Sequence, residues 1–154
     1  MIYVYYARPV ADVKAALESI RKSCPASMAV VVRKSFGCSK LLYFSLFLSL
    51  KSFQMGMQAA KTPELEWLCR LACTNNVSSG LRDTGPRPGE PVAIASTVAF
   101  PAGLQRELGI TGEASCSGCD RDFLAKYYGL SEQSLSKYRI CDLAKEKMAI
   151  GAVR

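Results

Sequence analysis

The run LLYFSLFLSL, Leu41 to Leu50, lies between Lys40 and Lys51, and whether it belongs to a membrane or to a protein core decides the fold. Its ten residues make about 15 Å of helix, roughly half of a bilayer's hydrocarbon core. The run is therefore read as a helix buried on nearly all sides of a soluble core, and not as a membrane span. Ser45 and Ser49 stand four apart on one face, where small side chains let another backbone come close.

The flanking sequence alternates strand and helix patterns. IYVYY (2–6) has the β-branched and aromatic content of a strand, and Ala11 to Arg21 carries Val13, Leu17 and Ile20 on one helical face. MAVVVR (28–33) is a continuous apolar run between turn residues, as expected of a central strand covered on both faces. A helix from Ser39 to about Ala60 is broken at Thr62-Pro63, where proline suits the first turn of the next helix, Glu64 to Cys73. Thr74-Asn75-Asn76 supplies a capping corner, and Val77 to Thr84 is a short helix ended by Gly85. GPRPGEP (85–91) excludes regular structure, and VAIASTVAF (92–100) returns to strand. The tail holds two helices, about Arg121 to Tyr128 and Ser131 to Val153. The predicted fold is mixed α and β over one domain, 1–154: a small central sheet covered by helices, with a helical middle and a long C-terminal helix.

A chain of 154 residues, 49% hydrophobic and 21% charged, is long enough to bury one sizeable core. Twenty Lys and Arg against thirteen Asp and Glu give a formal charge of +7, which favours an anionic partner such as nucleic acid. There is no histidine, which excludes Ser-His-Asp and Cys-His catalysis and any histidine-containing zinc site. The seven cysteines are odd in number and irregularly spaced, so reduced thiols in the cytoplasm or nucleus are expected. MIYVYYARPV has neither the basic start nor the cleavage site of a signal peptide.

No stretch supplies an obvious reaction centre. CSGC, Cys116 to Cys119, has the spacing of a redox pair or half a zinc knuckle, but no second CxxC accompanies it. GPRPGEP has neither GxGxxG nor GxxxxGK[ST]. Glu64, Glu66 and Asp83 read as helix-end and solvated-face carboxylates. The chain reads as a protein that binds. No catalytic residue, metal ligand, cofactor or small-molecule substrate is expected. Two other readings stay open: a thiol-redox or zinc-handling protein using Cys116 and Cys119, and a general RNA-binding module, for which aromatic and glycine motifs are scarce.

The stretch EWLCRLACTNNVSSGLRDTG, Glu66 to Gly85, resembles the signature of the small kinase-binding subunit of KEOPS, the family known in vertebrates as TPRKB. That family has a Glu on one helix, an Asn-Asn-Ile-Ser corner, then an Ala-Leu-basic helix closed by Gly. Glu66, Asn75, Asn76, Val77, Ser78, Leu81, Arg82 and Gly85 fall in register with it. KYYGLSEQ (126–133) and EKMAI (146–150) resemble the family's later motifs, and Ser45 and Ser49 match its small residues on a long apolar helix. This chain lacks the histidine that many members carry on that helix.

The resemblance implies a non-catalytic subunit. KEOPS installs the threonylcarbamoyl group on the adenosine beside the anticodon of ANN-decoding tRNAs, and another subunit performs the transfer. The small subunit docks on a kinase-like ATPase subunit and, in archaeal members, holds the 3′ CCA end of tRNA. The expected kinase contact is the C-terminal stripe Ile140, Leu143, Ala144 and Met148, whose helical spacing suits a core or an interface equally. The expected tRNA contacts are Lys51, Lys61, Arg70, Asn75, Asn76 and Arg82, around the middle helices.

Overall fold

The computed structural model describes residues 1–115 and 119–152. Strands β1 (Tyr3–Ala7), β2 (Ala29–Arg33), β3 (Val92–Ser96) and β4 (Ile110–Glu113) form one antiparallel sheet in the order β2-β3-β1-β4. Helix α1 (Val13–Ser23) joins β1 to β2, and β3 is inserted between them, which makes a split β-α-β unit. All five residues of β3 are buried. MAVVVR, expected as a central strand, instead forms the edge strand β2, paired with β3 alone; its continuous apolar run is buried because layers pack on both of its faces, not because strands flank it on both sides.

Side chains of successive strand residues point to opposite faces, so the sheet divides the interior in two. Tyr5, Ala7, Val31, Val92 and Ile94 face α1 and the short helix α5 (Ala102–Glu107). Tyr5 stacks on Phe100 with ring centroids 4.9 Å apart. Val4, Val30, Val32, Ala93 and Ala95 face the larger layer. That layer contains α2 (Ser39–Gln54), α3 (Pro63–Leu71), α4 (Val77–Thr84), α6 (Arg121–Tyr127), α7 (Glu132–Lys137) and α8 (Ile140–Ala152).

Helix α2 carries the opening run, and its serines face α3. Ser45 Oγ accepts from Trp67 Nε1 at 3.0 Å, and Ser49 Oγ donates to the Pro63 carbonyl at 2.8 Å. These contacts pair Ser45 with the middle of α3 and Ser49 with its start, so the two helices run antiparallel. The opposite face of α2 departs from expectation: Tyr43, Phe47 and Leu50 are exposed, forming an uncovered apolar stripe. Among the described residues no helix is long and apolar enough to cross a membrane.

Helix boundaries moved where local caps intervened. Helix α2 stops at Gln54, not near Ala60, because Gly56 takes a left-handed φ of 67°. Gly56 N–H then reaches Phe53 O and Met57 N–H reaches Ser52 O, closing the helix end. The expected helix 131–153 is two helices, and its end at Val153 lies outside the described residues. Tyr138 is extended between them, which frees α8 to bury Ala144 and Met148 while α7 buries nothing. The sequence reading missed α5 and β4, which are six and four residues long and too short to show a period.

Ser49 is fully buried at the α2–α3 crossing. Ser49→Ala should cost about 1 kcal/mol for the lost hydrogen bond. Ser49→Leu should cost a further ~1–3 kcal/mol from overpacking, as read by urea unfolding. Equal costs for the two variants would contradict a close approach of the helices.

Candidate functional site

Thr62 caps α3 by accepting from Leu65 N–H at 3.3 Å, with Pro63 in the first turn as the sequence predicts. One turn in, Glu66 is fully buried, which overturns its reading as a solvated-face carboxylate. Its Oε2 accepts the backbone N–H groups of Ala59 and Ala60, each at 2.8 Å. Its Oε1 accepts from Arg70 Nε at 2.7 Å and pairs with a second guanidinium nitrogen. That nitrogen also donates to Asn75 Oδ1 at 3.0 Å. The irregular segment after α2 leaves orphan N–H groups that need a buried acceptor, and a Glu-Arg spacing of four places the countercharge on the same face. Arg70 is only 2% exposed, so its guanidinium positions Asn75 and is closed to a phosphate, contrary to its expected role.

The carboxyl end of α3 is satisfied carbonyl by carbonyl. Cys73, at a left-handed φ of 55°, sends its N–H to Arg70 O, and Thr74 N–H reaches Cys69 O. Tyr128 Oη donates to Leu71 O at 2.7 Å, and Tyr127 Oη lies 3.2 Å from both Ala72 O and Asp83 Oδ2. Burial, and then the Asp83 charge, raise the Tyr127 hydroxyl well above its ordinary pKa, so it stays a donor. Asn76 caps α4 by accepting from Ser79 N–H at 2.9 Å. Gly80 lies where α4 meets α3: a Cβ there would make van der Waals contact with Cys69 at 3.4 Å.

These elements enclose a cleft of about 480 Å³ between the corner, α4, α6 and α8. Its polar lining comes from Asn75, Asp83, Tyr127 and Lys147, with Cys73, Ile150 and Gly151 beside them. Of the residues expected to meet tRNA, only Asn75 lines it. Arg82 is exposed on α4 and ion-paired with Asp83 at 3.0 Å. Lys51 and Lys61 are exposed where α2 ends and α3 begins, at the other end of α3, a helix of nine residues and about 13 Å. On α8, Ala144 and Met148 are fully buried in the core, whereas Ile140 and Leu143 are partly exposed. Lys147 lies within EKMAI but was not among the expected contacts, and it reaches the cleft because α8 crosses beside the corner.

No family model matches the chain. It is 31% identical over 120 residues to the KEOPS complex subunit Cgi121 of Pyrococcus abyssi, covering 73% of this chain and 68% of the relative. The chain belongs to the Cgi121 family of KEOPS complex subunits. Membership in that family gives the helix-corner-helix at 66–85 its interest, since those residues carried the resemblance in the sequence.

A second constellation stands apart from the cleft. Cys38 occupies the position just before α2, Cys141 is the second residue of α8, and Cys119 precedes α6; Cys116 lies outside the described residues. Cys38 and Cys141 Sγ are 3.4 Å apart, and Cys119 and Cys141 Sγ are 4.0 Å apart. A hydrogen bond from Cys119, helped by backbone N–H groups of Leu41 and Lys40, lowers the Cys38 pKa to about 6 against the opposing effect of burial. The same bond raises that of Cys119.

The Glu66–Arg70 pair yields a direct test. Arg70→Met leaves a buried carboxylate without its countercharge and should cost about 3–5 kcal/mol in urea unfolding. The double variant Glu66→Gln, Arg70→Met should cost clearly less than the two single changes added together. Additive costs would mean that the two side chains do not act as a pair.

Proposed function

We propose that the chain is a non-catalytic KEOPS subunit that docks on the kinase-like ATPase subunit and helps hold tRNA during threonylcarbamoyladenosine formation, in the cytoplasm or nucleus. The observation that carries this reading is its membership in the Cgi121 family. The cleft supports it: an asparagine amide and a lysine ammonium meet in one concavity beside the corner. Such groups suit the base edges and phosphates of an unpaired 3′ end, which is how proteins commonly recognise single-stranded RNA.

The kinase subunit docks on the side of α8 where Leu143 is reachable, next to the partly exposed edge of Ile140, which packs against the core. Ala144 and Met148 support that helix from beneath. Co-expression with a KEOPS kinase subunit followed by size-exclusion chromatography tests the reading, and the two proteins should co-elute. Leu143→Asp should abolish co-elution with an unchanged melting curve, because a charge would enter an apolar contact. Phe47→Asp, on the exposed stripe of α2, should leave it intact; the reverse pattern would move the docking face to α2.

On the tRNA side, Lys61→Ala with Arg82→Ala should lower the slope of log affinity against log salt by about one to two. Removing the CCA end should weaken binding further. Equal binding of full-length and trimmed tRNA at moderate salt would remove tRNA from the proposal and leave the kinase contact standing.

A further inference from the structure

Cys38, Cys119 and Cys141 are far apart in sequence, with Cys38 and Cys141 separated by 103 positions. The fold brings all three Sγ atoms within 4.8 Å of one another, and this is the one such group of potential metal-binding side chains among the described residues. In a tetrahedral thiolate site with Zn–S bonds of about 2.3 Å, sulfurs stand about 3.8 Å apart. The observed separations of 3.4 and 4.0 Å bracket that value.

The surroundings also favour negative charge at the cluster. Cys38 immediately precedes α2, a helix of 16 residues, and Cys141 lies in the first turn of α8, a helix of 13, so the N–H groups and dipoles of both helix starts stabilise anions there. Cys38 is fully buried, Cys141 is 9% exposed and Cys119 is partly exposed, so the cluster is shielded on one side and reachable on the other. Sulfur-only donors select a soft ion, and a closed-shell divalent ion accepts the tetrahedral spacing without geometric strain.

We propose that Cys38, Cys119 and Cys141 form a thiolate site for Zn²⁺ that ties the start of α8 to the starts of α2 and α6. Water or another donor completes the shell from the Cys119 side. The three thiols lose their protons on binding, and the ion fixes α8 against the core. This inference rests on the cluster alone and stands or falls apart from the KEOPS reading.

The test uses the full chain, reduced and stripped of metal, then mixed with excess zinc and desalted. One zinc per chain should remain, and melting should move to higher temperature. Cys141→Ser and Cys119→Ser should each weaken zinc binding by at least ~100-fold and abolish the melting shift. Cys24→Ser, in the opposite core layer, should retain both. Should a cluster variant fail to fold, cobalt added to the unaltered chain decides: sulfur-to-cobalt charge-transfer absorption supports the site, and its absence overturns it. Three further results would overturn it: no retained zinc, retention of copper alone, or a native mass showing a Cys38–Cys141 disulfide in freshly isolated protein.

Discussion

The buried carboxylate of Glu66 is the interaction on which the cleft-bearing half of the molecule depends. It binds backwards to the N–H groups of Ala59 and Ala60 and forwards to Arg70, which in turn holds Asn75. One side chain thus fixes the irregular segment after α2, the middle of α3 and the corner before α4. Burying two charges costs several kcal/mol, and the cost is tolerable only when every lone pair and donor is used. Here the hydrogen bonds are made, and the return is positional: the amide that lines the cleft is set by a chain of contacts that starts fully out of solvent.

Around this polar spine the remaining forces are ordinary packing. The sheet separates an α1–α5 layer from the larger helical layer, and residue alternation along each strand assigns side chains to one or the other. The small faces of Ser45, Ser49 and Gly80 draw α2, α3 and α4 together, so that α8 closes over them with Ala144 and Met148 in the core. The cleft follows from that closure. Lys147 and Asn75 meet there although 72 positions separate them in sequence.

Much of this was legible in the residues. MAVVVR announced a strand covered on both faces, though not its place at the sheet edge, Thr62-Pro63 marked the start of α3, and Asn76 marked that of α4. Ser45 and Ser49 announced a close helix contact. What escaped was set by tertiary context. Glu66 looks like any helical carboxylate until the segment at 55–62 folds back on it, and Arg70 looks like a free cation until Glu66 claims it. The exposed stripe of Tyr43, Phe47 and Leu50 is apolar in sequence and gives no hint that none of the described residues covers it. The cysteine cluster was equally hidden: the local pair at 116 and 119 drew attention, whereas the fold groups Cys119 with two distant thiols.

The family assignment makes this chain a KEOPS complex subunit, and the proposed function adds that it serves a tRNA-modifying assembly as a non-catalytic platform. The central claim is that this chain works as a KEOPS subunit. The most direct measurement is the rate of threonylcarbamoyladenosine formation on an ANN-decoding tRNA by a reconstituted KEOPS complex that lacks its own Cgi121-type subunit. Adding this chain should raise the rate, and adding a chain with Arg70→Met, whose Asn75 is no longer held, should raise it less. An unchanged rate with the folded chain in saturating excess would contradict the account.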